Sequence, residues 1–207
     1  PTRRSSDLRR IPVLVVMTLA ACAGEKQSTG AHVKTLVMSQ PADADNLLPP
    51  FSTNEVSGQV DAMIFEKLAD IDDSMHTIGD HGARPALADS WTWAPDSLSI
   101  AFHLDPKAHW TDGVPVRAAD VVYSFRVNKS PIIGSSVLPL LADVDSVTAR
   151  DSLTAVAWFH ARSPEQFYNS ATQMRVLPAH LLAGTPDSLL RTSPYGRSPV
   201  GSGPYKF

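Results

Sequence analysis

The chain of 207 residues carries one cysteine, Cys22. A disulfide framework within the monomer is therefore excluded, and so is a zinc site built of thiolates. Charge of one sign is scarce too. The formal net charge is -3, and neither sign forms a long run. Nucleic-acid binding would call for a basic stripe, so no nucleic-acid partner is expected. Internal repeats and low-complexity tracts are missing, apart from a short polar stretch near residue 25. Several catalytic signatures are missing as well. No Gly-x-Ser-x-Gly elbow and no His-Glu-x-x-His pair occurs, which removes the usual serine hydrolase and zinc protease patterns. His103 and His109 are read as histidines on a β surface. Gly201-Ser202-Gly203 is no phosphate loop, because Lys206 is misplaced and Pro204 lacks the N–H such a loop needs. Neither an enzyme, nor a cofactor, nor a metal site is expected.

What is present begins with a leader. Arg3, Arg4, Arg9 and Arg10 precede the mostly apolar run Ile11 to Ala21. That is a positive n-region and a short h-region, about half of the roughly 20 residues that span a bilayer. Residues 1–21 are thus assigned as a signal peptide. Its end, Leu19-Ala20-Ala21-Cys22, resembles the lipobox of bacterial lipoproteins, in which the cysteine is lipidated. The alternative for Cys22 is a buried thiol in a core segment. Residues 22–32 then form the lipidated cysteine and a small, polar tether.

Beyond the tether the patterning reads as mixed α/β. Val33 to Met38 is apolar on both sides, as a buried strand is. Pro41 to Thr53 is a loop. Val56 to Leu68 predicts a helix with Val60, Ile64, Phe65 and Leu68 inward and Glu66 and Lys67 facing away. Asp70 to Gly82 is an acidic excursion. Its Asp70, Asp72, Asp73 and Asp80 lack the ligand spacing of a calcium loop and read as a solvated turn. Trp91 and Trp93 alternate along an expected strand, Pro95-Asp96-Ser97 supplies a turn, and Ile100, Phe102 and Leu104 share a strand face. Trp110 leads into the tight turn Asp112-Gly113. A helix follows, with Ala118, Val121, Val122 and Phe125 inward. The three tryptophans are read as core, the alternative being stacking on a ligand. Val144 to Phe159 predicts a two-stranded meander about Arg150-Asp151-Ser152, and Ser163-Pro164-Glu165 opens a short helix with Phe167 inward.

The stretch from Arg84 to Val127 also resembles the family 5 extracellular solute-binding proteins, receptors of ABC importers for peptides, dipeptides and nickel. The matching positions are Ala88, Ser90, Trp91, Phe102, Leu104, Trp110, Asp112, Gly113, Pro115, Ala118, Asp120, Val121 and Ser124. Ile64-Phe65-Glu66-Lys67-Leu68 is similar to the family's F-E-G-L, with Lys67 in place of glycine. Val176 to Leu182 resembles its I-x-P-K-H-x-L segment. Pro199 to Phe207 is similar to P-V-G-T-G-P-Y-x-F at every position but Ser202. Asp105 stands where a basic residue is usual. Arg117 stands where a threonine caps the helix, a loss of about 1 kcal/mol.

The resemblance implies a periplasmic-binding-protein-like fold, type II, of the peptide-binding class. Its first lobe would be discontinuous, made of residues 33–65 and 196–207, with an inserted mixed domain at 66–195 and the second lobe absent. It implies a substrate-binding lipoprotein outside the membrane, in the periplasm or cell envelope. That protein would pass a peptide or other small solute to an ABC permease and its ATPase. The alternative is a cell-envelope module for signalling or adhesion without transport. By the same resemblance Thr53, Asn54 and Glu55 are the ligand-binding candidates. Glu55 could pair with a ligand cation, or could serve only as an acid at a helix N-terminus.

Overall fold

In a computed structural model, Val37 and residues 39–207 are described. The signal peptide, Cys22, the tether and all of the expected first strand but Val37 lie outside the described residues. Gln40–Phe207 form one compact unit. Its elements are helix α1 (Glu55–Ile64), strands β1 (Ala69–Ile71), β2 (Ala83–Pro85), β3 (Ala88–Trp93) and β4 (Ser99–Leu104), helix α2 (Ala118–Lys129), strands β5 (Val144–Ala149) and β6 (Thr154–Phe159), and the single-turn helices α3 (Ala179–Leu182) and α4 (Asp187–Leu190).

The centre is an antiparallel sheet of order β3-β4-β6-β5. Its register follows from alternation: Trp91 pairs with Phe102, Trp93 with Ile100, Phe102 with Ala155 and Ile100 with Ala157. Directly opposed residues share a face, so the large side chains collect on one side. Ile100, Phe102, Leu104, Ala155 and Ala157 are buried there together with Val121 and Phe125 of α2. The opposite face carries Thr92, His103 and an exposed Trp158, whose indole donates to Thr148 Oγ1 at 3.0 Å. The hairpin and the meander thus form where the two-residue period predicts them. The acidic excursion joins β1 to β2 as an antiparallel pair.

Several expectations are corrected. Trp91 and Trp93 do not alternate across β3. Two residues apart, they lie on one face, Trp91 against Phe167 (4.9 Å between ring centroids) and Trp93 against Phe159 (6.0 Å). Both indole N–H groups donate to Asp80 Oδ2, at 2.9 and 3.2 Å. One member of the acidic turn therefore serves the polar edge of two large aromatics. The short helix at Ser163 does not form as a regular helix either. The chain turns there and widens to π spacing over Tyr168–Thr172, although Phe167 is buried as expected.

Helix α1 is also shorter than the apolar pattern implies. It ends at Ile64, and Phe65 is extended. Other segments recruit the backbone that follows. Glu66 O accepts from Val176 N–H at 3.0 Å, Lys67 O from Leu87 N–H at 3.1 Å, and Leu68 O from Ala88 N–H at 2.9 Å. Because the helix has stopped, Glu66 and Lys67 do not face away into water but are half-buried.

Arg117 offers α2 no side-chain cap, yet the helix start is not left open. Asp120 Oδ2 accepts from Arg117 N–H at 2.8 Å, and Asp120 N–H donates to Arg117 O at 2.9 Å. The third helical residue therefore does part of the work a threonine cap would do.

Candidate functional site

The candidates Thr53, Asn54 and Glu55 lead into α1. Asn54 is its N-cap, and its Oδ1 accepts from Ser57 N–H at 2.8 Å. Its Nδ2 donates to Asp43 O at 3.1 Å. Both ends of the amide are thereby used in building the helix start. Thr53 donates its hydroxyl to Asp45 Oδ2, and its N–H reaches the same oxygen at 3.1 Å. Glu55 is exposed in the first helical turn, and among the described residues its carboxylate accepts only from Gln59 Nε2, at 3.1 Å. The three residues are adjacent, but only Glu55 keeps a largely uncommitted side chain for a ligand.

Asp45, in the loop before α1, is the hub of this corner. It accepts the hydroxyls of Thr53 and Ser57, and its Oδ1 accepts from Asn46 N–H at 2.9 Å. The hydrogen bonds from Ser57 and Thr53 hold its carboxyl down at about 2. One helical turn further on, Asp61 is buried at 2% exposure. Its Oδ2 accepts from Ser52 Oγ at 2.5 Å, and its Oδ1 has no partner among the described residues. Burial pushes this carboxyl up to about 6, against the opposing effects of the Ser52 bond and the Arg175 charge. Asp61 and Arg175 both line a polar cavity of about 180 Å³ with Ser52, Asn128, Ser135 and Gln173. A charged residue on the inner face of the helix, one turn after the buried Ser57, is the signal for Asp61.

The C-terminal segment closes against the other end of α1. Gly203 N–H donates to Ile64 O at 2.7 Å, Tyr205 N–H to Met63 O at 3.1 Å, and Thr111 N–H to Gly201 O at 2.8 Å. The approach leaves no room for side chains, since a Cβ on Gly201 would lie 2.0 Å from Ile64 O. Further back, Leu47 N–H donates to Gly196 O at 3.0 Å. The Asp112-Gly113 turn is joined to α3 by His180 Nε2 and Asp112 Oδ2, 2.8 Å apart. Gly113 sits at φ +90 in that turn, a conformation glycine adopts without penalty. Among the described residues no group of three or more potential metal ligands converges.

Comparison with known proteins places this geometry. The sequence profile described as bacterial extracellular solute-binding proteins, family 5 Middle, matches residues 82–207. A putative ABC transporter peptide-binding protein of Brucella ovis is 33% identical over 145 residues, which is 69% of this chain and 26% of that protein. The oligopeptide-binding protein AppA of Bacillus subtilis is 25% identical over 221 residues, 99% of this chain and 39% of AppA. The chain thus spans about a quarter to two-fifths of the length of these two relatives. Among solved structures, AppA of Bacillus subtilis in complex with a nonapeptide superposes with a TM-score of 0.70 at 22% identity, over 80% of this chain and 32% of that one. NikZ of Campylobacter jejuni in complex with Ni(L-His) gives 0.65 at 27% identity, over 80% and 31%. The mixed α/β fold is therefore that of the solute-binding proteins.

Proposed function

The chain belongs to the bacterial extracellular solute-binding proteins of family 5, and from that premise we propose that it is part of the receptor subunit of an ABC importer. The receptor captures a peptide or a related small solute outside the membrane and delivers it to a permease driven by an ATPase. The observation that carries this reading is the family match across residues 82–207. The relatives named as peptide-binding proteins support a peptide as the solute.

In this reading residues 33–65 and 196–207 belong to one lobe, and 66–195 are a mixed domain inserted into it. The bonds from Leu47 to Gly196 and from Gly203 to Ile64 support the pairing of the two outer segments. Solute would be held against the start of α1, where Glu55 offers a carboxylate to a ligand ammonium or guanidinium. Thr53 and Asn54 would set the position of Glu55 through Asp45 and the helix cap. The protein would be held at the envelope by lipid on Cys22, after removal of residues 1–21. Catalysis forms no part of this role.

The test is uptake and binding together. Cells lacking the gene should lose most uptake of a labelled short peptide and regain it with the intact gene. Purified protein from the intact gene should show calorimetric binding of that peptide, weakened about tenfold in Glu55→Gln. If peptide binds but uptake is untouched, the non-transport envelope module is the better reading. If no peptide, nickel chelate or sugar binds, the receptor reading fails. Metabolic labelling with palmitate should be lost in Cys22→Ser; retained label would refute the anchor.

A further inference from the structure

A second cavity lies at the other end of α1. It measures about 330 Å³ and is lined by Phe65, Glu66, Lys67, Asp70, Arg175 and Pro204. That volume is at the lower end of the range for small-molecule pockets, roughly 300–1,000 Å³. Four of these side chains are charged, two of each sign. The ion pairs among the described residues are Arg126–Asp187, His160–Asp145 and His180–Asp112, so none of the four is in one. Arg175 Nη1 donates to Phe65 O at 2.8 Å, and its other N–H groups make no hydrogen bond among the described residues. Glu66, Lys67 and Arg175 are half-buried, and Asp70 is exposed.

The charges also act on one another across the cavity, Asp70 opposing Lys67 and Arg175, and Asp61 opposing Arg175. Arg175 is a neighbour of Lys67, and after desolvation its charge is the next cause that pushes the Lys67 ammonium below its ordinary value. Desolvation, and then the charge of Asp70, push the Glu66 carboxyl up. Partly dehydrated charges that make no close ion pair are incompletely satisfied, and a ligand carrying both signs completes them. The backbone of the walls is tied down: Glu66 N–H donates to Ser202 Oγ (3.2 Å) and its carbonyl accepts from Val176 N–H, the Lys67 carbonyl accepts from Leu87 N–H, and Arg175 donates to Phe65 O. A backbone already ordered loses little further entropy when a ligand arrives. Lys67 is also one of the departures from the family pattern, which has glycine there.

We propose that this cavity binds a small zwitterion of the α-amino acid class, its carboxylate held by Lys67 and Arg175 and its ammonium by Glu66 and Asp70. The four site charges sum to zero. A simple anion or a simple cation would satisfy one pair and meet repulsion from the other, while a zwitterion satisfies both. The site is separate from Thr53–Glu55 and does not depend on the importer reading.

Calorimetry of the full chain with L-alanine, propionate and ethylammonium tests this, the last two being the anionic and cationic halves of the first. L-Alanine should bind one-to-one and at least about tenfold more tightly than either half. Lys67→Gln and Glu66→Gln should each weaken it by about tenfold or more. Neither side chain makes a hydrogen bond among the described residues, so both variants should melt with the parent, which separates lost binding from lost fold. Glu55→Gln should leave L-alanine binding unchanged, which distinguishes failure here from failure of the peptide-receptor reading. Equal affinity for propionate, no heat with L-alanine at millimolar concentration, or unchanged affinity in Lys67→Gln would each overturn the proposal.

Discussion

Asp120 Oδ1 accepts a hydrogen bond from the backbone N–H of Ala179 at 2.8 Å, joining the first turn of α2 to the first residue of α3 across 59 positions of sequence. The same carboxylate closes the start of its own helix through Arg117 N–H, and Trp110 Nε1 lies 3.4 Å from it. It is 5% exposed, so water cannot replace it readily. Asp120→Ala should therefore leave two backbone donors unpaired and cost about 3 kcal/mol. Asp120→Asn keeps one acceptor and should cost less. Urea midpoints of the two variants check this, and equal losses would show that the second oxygen is idle.

The tail of the chain can be tested by adding single methyl groups. Gly201→Ala would set a Cβ 2.0 Å from Ile64 O, and Gly203→Ala one 2.6 Å from Met63 O. Backbone oxygens cannot move aside as side chains do, so each variant should lose about 3 kcal/mol or more. Gly184 has open space around its Cβ position. Gly184→Ala should be neutral or stabilise by less than about 1 kcal/mol. Thermal melting of the three variants separates crowding from a general intolerance of alanine.

Asp80 holds the indole N–H groups of Trp91 and Trp93 together. Asp80→Ala would strand both donors at the edge of the core and should destabilise by about 2 kcal/mol. Because the change falls on two of the four tryptophans, the native emission spectrum should shift as well. Unaltered emission would mean that the indoles do not depend on Asp80.

Asp61 gives stability a defined pH dependence. Its folded carboxyl, at about 6, lies above the ordinary value of 3.8, so the folded state binds the proton more tightly. The contribution of this group is therefore fully present below about 3.8 and is lost as pH rises through about 6. Asp45 acts in the opposite sense but at lower pH, its contribution fading only as pH falls toward 2. Asp61→Asn should gain on the parent protein as pH is raised from 4 to 7.5, with both followed by urea unfolding at each pH. A constant difference across that range would show that the carboxyl does not change its charge.

The hairpin, the meander and α2 were legible because alternation and helical spacing are local. Ile100, Phe102 and Leu104 announce a strand face without help from the rest of the chain. The contacts that lock these elements together were not legible. Asp80 with the tryptophans, Asp112 with His180 and Asp120 with Ala179 each join residues whose spacing carries no period. The end of α1 was misplaced for a related reason. Phe65 and Leu68 continue the apolar helical pattern, and only the distant partners Val176, Leu87 and Ala88 claim their neighbours' carbonyls. Of the candidate site, Thr53 to Glu55 came from resemblance and Asp61 carried the signal of a charge on an inner helix face, whereas Asp45 and Arg175 emerged only once the chain was folded.

The glycine-lined closure on α1 also bears on the order of folding. Glu66 and Ser202 are bonded across 136 positions. A loop of that length closes late, because its entropy must be lost before the contact repays it. Until then the carbonyls of Met63 and Ile64 must be hydrated or held by something else. The β3–β4 hairpin and the β5–β6 meander, whose contacts are local, can form first.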